Sequence, residues 1–127
     1  MGFQQAGIII REAGSSEENN VILACGTGGN AKIKYFLRRT DRGKSKGPVD
    51  KIDDMNGWLK LEKVGNRITA FIKKAESDEW KKIAGYELGW LNGYLEVGFI
   101  VMAKFSGSGP KMKPDMKAVF TDYSLIK

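Results

Sequence analysis

The chain has 127 residues, 42% of them hydrophobic and 28% charged, with a formal net charge of +6. That suffices for one domain with its own core, spanning residues 1–127, and not for two. No apolar run reaches the roughly 18 residues needed to cross a bilayer, so no membrane partner is expected. Ile8-Ile9-Ile10 is too short, and comes too late after the polar Gln4-Gln5, to be the core of a secretion signal. The chain reads as a mature domain, a cytosolic protein, or a piece of something longer. One cysteine, Cys25, and no histidine exclude an internal disulfide, Ser-His-Asp and Cys-His catalysis, and the common zinc sites. Cys25 ends the apolar run Val21-Ile22-Leu23-Ala24-Cys25, where it reads as a buried thiol and not as a nucleophile.

In chain order, Ala6 to Glu12 reads as a strand with polar ends. Gly14 to Asn20 is a polar turn, and Val21 to Cys25 returns as a second strand. Gly26-Thr27-Gly28-Gly29-Asn30 has the look of a phosphate-binding loop. Ala31 to Arg38 behind it alternates with period two, however, so no helix N-terminus follows to hold an anion. The glycines are expected to form a turn with positive φ. Arg38 to Lys51 follows as a glycine-containing loop with six basic residues (Arg38, Arg39, Arg42, Lys44, Lys46, Lys51) against Asp41 and Asp50. Such a loop either grips an acidic polymer by ion pairing or is simply solvated. Asp53 to Gly57 turns the chain again.

Gly57 to Trp80 is the most informative stretch. Leu59 and Leu61 alternate with Trp58, Lys60 and Glu62. After the turn Val64-Gly65-Asn66-Arg67, Ile68, Ala70 and Ile72 alternate with Thr69, Phe71 and Lys73. Two alternating runs about a Gly-Asn turn predict a hairpin. A second turn, Glu76-Ser77-Asp78-Glu79, leads to a short strand from Trp80 to Ala84. Gly85 to Gly93 reads as a loop anchored by Trp90 and Leu91. Tyr94 to Lys104 is the longest strand, with Leu95, Val97, Phe99 and Val101 on one face and Glu96, Gly98, Ile100 and Met102 on the other. Ser106 to Asp115 is a Gly/Ser/Pro loop, and Lys117 to Ile126 reads as a closing strand. Eight strand candidates with frequent turn signals and no helix predict an all-β fold, an antiparallel two-sheet sandwich or jelly roll.

Four patterns stand in a fixed order: AGIIIRE (Ala6 to Glu12), RRTDRGKS (Arg38 to Ser45), GWLKLEKVGNRITAF (Gly57 to Phe71) and KAVFTDYSLIK (Lys117 to Lys127). Together they resemble bacterial domains of the concanavalin A-like lectin/glucanase superfamily. The resemblance is to the jelly-roll modules at the C-termini of β-xylosidases and to related domains of unknown function, and it spans nearly the whole chain. It implies a concanavalin A-like jelly roll in which one sheet is concave. Such domains usually begin with further strands ahead of the first pattern, where this chain has only Met1 to Gln5. The expectation is a sandwich that lacks N-terminal strands and self-associates through an open edge. The family pattern also has Asp-Gly in the turn before the tryptophan, where this sequence has Asp78-Glu79.

The resemblance makes the outward positions of the concave sheet a candidate sugar platform. Alternation assigns Arg11, Trp58, Lys60, Glu62, Thr69, Phe71, Lys73 and Glu96 to the side opposite the aliphatic core. A sugar needs a flat aromatic surface and bidentate polar groups, which Trp58, Arg11 and Glu62 supply in kind. The same residues also suit a wet face of cross-strand ion pairs. Trp80 and Trp90 read as core or turn anchors. The expected function is that of a non-catalytic carbohydrate-binding or accessory module in a polysaccharide-degrading system, with an oligo- or polysaccharide as partner. One alternative is a small glycoside hydrolase using Glu62 and Glu96, which would need to stand about 5–5.5 Å apart for a retaining mechanism. Another is an oligomerisation domain without a ligand. Nucleic acid is not an expected partner: of aromatic and basic residues interleaved on one strand face, as in RNA binders, Lys32-Ile33-Lys34-Tyr35-Phe36 comes nearest, and it is a weak match. No cofactor is required. Calcium is common in lectin-like jelly rolls, and Asp50, Asp53 and Asp54 could supply oxygens, but their spacing demands no metal. The resemblance points to an extracellular location.

Overall fold

Strand alternation becomes two antiparallel sheets in the computed structural model, which describes residues 3–14, 18–27, 33–42, 44–46, 49–51, 57–104 and 117–126. In chain order the strands are β1 (Phe3–Glu12), β2 (Asn20–Thr27), β3 (Ile33–Asp41), β4 (Lys44–Lys46), β5 (Val49–Lys51), β6 (Trp58–Val64), β7 (Arg67–Lys73), β8 (Lys81–Glu87) and β9 (Leu95–Lys104). One sheet has six strands in the order β4-β3-β2-β1-β9, with β5 also pairing with β3; the other has three, β6-β7-β8. No α-helix occurs among the described residues; a single 3-10 turn spans Gly89–Asn92.

The faces follow the residue types. Ile10, Val21, Leu23, Cys25 and Leu37 of the large sheet, Ile68, Ala70 and Ile72 of the small one, and Leu88 and Leu91 of the link between β8 and β9 form one buried cluster. Every residue from Val21 to Gly26 is buried, so β2 is covered on both faces, as its unbroken apolar run requires. Cys25 lies in this cluster, as expected. Leu59, Leu61, Ile83, Tyr86, Trp90 and Leu95 pack around it. Across one flank of the sandwich the Arg39 guanidinium lies 4.1 Å from the centre of the Tyr86 ring. The β6–β7 hairpin forms as predicted, with Trp58 opposite Lys73 and Val64 opposite Arg67. Gly65 has a φ of 60° and Asn66 has none of positive sign. Positive φ at the first central residue alone is the requirement of a type II′ turn, which matches the twist of the flanking strands.

Four expectations need correction. The first strand starts at Phe3, not at Ala6, and lies inside the sheet between β2 and β9. Among the described residues, the long unpaired edge therefore belongs to β9. The basic segment is not a free loop: β3 continues to Asp41, and β4 and β5 fold back to pair with it. Strand propensity at Arg39-Thr40 outweighs the charge, because Thr40 is buried and Arg39 finds an aromatic partner. The strand expected at Trp80–Ala84 runs from Lys81 to Glu87, so Gly85, Tyr86 and Glu87 belong to it and not to a loop. Finally, 117–126 forms no strand. Asp122 has a φ of 52°, which breaks the extended run in its middle, and the segment is held to β9 by ring stacking instead. Phe120 stacks on Phe99 at 4.4 Å, and Tyr123 meets the same ring edge-on at 5.2 Å. In the glycine-rich turn, Gly26 and Thr27 belong to β2, while 28–30 lie outside the described residues, as do Asp53 to Asn56 and Ser106 to Asp115.

Candidate functional site

The small sheet turns one face to the core and the other outward. Its outer face follows from register: Trp58 stands opposite Lys73, Lys60 opposite Phe71, and Glu62 opposite Thr69. On the other side of β7, Thr69 faces Gly85 and Phe71 faces Lys82. Directly opposed residues in an antiparallel pair share a face, with side chains close enough to interact. Aromatic and lysine side chains thus sit across from one another on neighbouring strands.

The contacts bear this out. Lys60 Nζ lies 4.2 Å from the centre of the Phe71 ring and 4.9 Å from that of Trp80. Lys73 Nζ lies 4.9 Å from Trp58 and 4.8 Å from Trp80. Trp80 therefore takes an ammonium from each of two strands. Trp58, Phe71 and Trp80 are all half-buried, with the lysine stems covering part of their rings and the charged ends held toward water. Lys60 also makes a loose ion pair with Glu62 at 3.8 Å. Lys73 donates instead to the carbonyl oxygen of Glu76 at 2.9 Å.

Trp80 reaches this face through the β7–β8 connection. The Ala75 backbone N–H donates to Asp78 Oδ2 at 3.0 Å, and the Asp78 N–H donates to the Ala75 carbonyl at 3.1 Å. An aspartate that bonds the backbone three residues before it in this way closes a turn without a glycine. Neither Asp78 nor Glu79 has positive φ, which explains how Glu79 stands where the resembled pattern has glycine. Ile72 pairs with Lys81, so the next position out sets Trp80 beside Lys73. Assigning Trp80 to the core or a turn overlooked this register. The irregularity between Ala70 and Phe71 shifts the β7–β8 register by one residue, so the chain itself gives no signal of this placement. Trp90, by contrast, packs against the core from the 3-10 turn, as expected.

Trp58, Lys60, Glu62, Phe71 and Lys73 come together as the sequence suggests. Arg11 and Glu96 do not join them. They face each other across β1 and β9 and form an exposed ion pair on the outer face of the large sheet, where they line an open depression with Ile9, Gly98 and Ile100. The whole core separates the two groups, because Ile10 and Leu95, their neighbours, point into it. Glu62 and Glu96 therefore do not converge, and the retaining pair needed for the hydrolase alternative does not form. No cluster of three or more metal-ligating side chains occurs among the described residues. Of the calcium candidates, Asp53 and Asp54 lie outside the described residues, as does the side chain of Asp50. No protein family, no curated protein and no solved structure matches the chain.

Proposed function

We propose that this domain is a non-catalytic carbohydrate-binding or accessory module, a concanavalin A-like jelly roll that takes a glycan on the outer face of β6-β7-β8 and works outside the cell. The observation that carries the reading is the grouping of Trp58, Phe71 and Trp80 on one outer face, interleaved with Lys60, Lys73 and Glu62. Aromatic rings offer a sugar its apolar C–H face, and flanking charged groups hydrogen-bond its hydroxyls. The return of β9 from the small sheet to pair with β1 is compatible with jelly-roll winding.

A glycan array with three variants tests this. Trp58→Ala and Trp80→Ala are each expected to weaken binding by roughly 2 kcal/mol, the usual cost of losing a tryptophan anchor. Arg11→Ala, on the far face, leaves affinity unchanged. Binding that survives both tryptophan changes moves the site elsewhere, and no binding to any glycan favours a scaffold without a ligand.

The same reading includes self-association through β9, whose Val97, Phe99 and Val101 are 53%, 47% and 54% exposed on an edge strand ten residues long. A second copy of this strand covers them by continuing the ladder. Light scattering is expected to give a dimer that Val101→Lys converts to a monomer. A wild-type monomer at working concentration refutes the edge pairing.

A further inference from the structure

Resting on the glycan reading above, we infer that the polymer bound by β6-β7-β8 is acidic, a polyuronate or similar polysaccharide whose rings carry carboxylates. The charge of the face points there. Lys60 and Lys73 share the outer surface with Lys82, which stands opposite Phe71 on β8. Glu62 is the one carboxylate on β6 and β7, and at 3.8 Å from Lys60 it is only loosely engaged. Arg67 and Glu87 at the far end pair with each other at 3.9 Å and add no net charge. Among the described residues, neither Lys73 nor Lys82 has a carboxylate within ion-pair distance.

The placement of the two central ammoniums adds to this. Each rests over aromatic rings, and both lie within 4.9 Å of the Trp80 centroid. A cation over a half-buried ring is held modestly, whereas a charge-assisted hydrogen bond to a carboxylate is among the stronger contacts available in water. A sugar that stacks on Trp80 displaces the lysine ends from the ring. A carboxylate on that sugar gives both ends a better partner in the same movement, and a neutral sugar does not. Nucleic acid is also anionic and stacks on aromatic side chains. Its recognition favours arginine for bidentate phosphate contacts, whereas among the described residues this face carries three lysines about its rings and a single arginine, Arg67, at the far end.

The test compares polygalacturonate with the same polymer fully methyl-esterified, with neutral xylan and with an oligo-dT strand, using affinity electrophoresis and calorimetry on the full chain. Polygalacturonate is expected to bind at least about tenfold more tightly than its ester, and to weaken steeply between about 50 and 200 mM salt as polyanion contacts do. Lys73→Met, which keeps the stem and removes the charge, is expected to lose about tenfold for the acidic polymer, the value of one charge-assisted contact. Lys82→Met, at an exposed position, gives a smaller loss and serves as the variant least expected to disturb folding. Equal affinity for the acid and the ester, or binding to xylan alone, overturns the acidic ligand while leaving the glycan reading intact. Tighter binding to oligo-dT than to any glycan overturns both, and so does no binding to any of the polymers.

Discussion

Gly7→Val is expected to cost more than about 3 kcal/mol of folding free energy, beyond the usual range for an overpacked interior. Gly7 pairs with Ala24 in the middle of the β1–β2 ladder. A Cβ at position 7 would stand 2.0 Å from the Leu23 carbonyl oxygen, 2.5 Å from Ala24 Cα and 2.8 Å from Ala24 Cβ. The first two of these obstacles are backbone and cannot rotate away. β2 is held by β3 on its other side and β1 by β9, so separating the pair strains two further ladders. Against a typical total of about 5–15 kcal/mol, such a loss removes a large share of the stability. Gly98→Ala provides the control: a Cβ there meets nothing within 4 Å, and a change of under about 0.5 kcal/mol is expected. Urea unfolding of Gly7→Ala and Gly98→Ala gives the comparison, and similar midpoints for the two would show that β1 and β2 do not approach this closely.

Leu23→Ala is expected to cost about 2–5 kcal/mol, the range for truncating a fully enclosed leucine. Leu23 is 0% exposed at the centre of β2, with Ile8 and Leu37 opposite it on the two neighbouring strands. The layer formed by Ile68, Ala70 and Ile72 closes over the same cluster. All of these side chains sit on paired strands, so the space left cannot collapse without moving a sheet. Val64→Ala, at a site 71% exposed, is expected to change stability by less than about 0.5 kcal/mol. A Leu23→Ala loss below about 1 kcal/mol would mean that the sheets do not pack on this residue.

Much of the architecture was legible because strand alternation carries it directly. Leu59-Lys60-Leu61 and Ile68-Thr69-Ala70-Phe71-Ile72 can bury an apolar side only as extended chain, and Gly65 supplies the turn between them. Val21 to Cys25 is apolar at every position, which suits an inner strand covered on both faces. The closing segment misled because Val119, Phe120, Tyr123 and Leu125 look like strand residues, yet strand formation needs a free ladder in register. The positive φ at Asp122 interrupts the extended run, and three aromatic rings hold the segment instead. In Arg38 to Lys51, charge suggested solvent, whereas backbone pairing with β3 prevailed.

The candidate face divides along the same line. Period-two patterning separates inward from outward positions, so Trp58, Lys60, Phe71 and Lys73 were readable as outward, and so were Arg11 and Glu96. A sandwich has two outer faces, however, and both present the same parity to a reader of the chain. Which of them a residue occupies depends on strand order, and that is set by long-range pairing such as β9 against β1. Trp80 shows the complementary case. Its own neighbours leave its direction open, and only the register of β8 on β7 brings its ring between Lys60 and Lys73. Local alternation is thus a property of the extended backbone and can be read from the residues, whereas the meeting of side chains from separate strands is a property of the packed sheets.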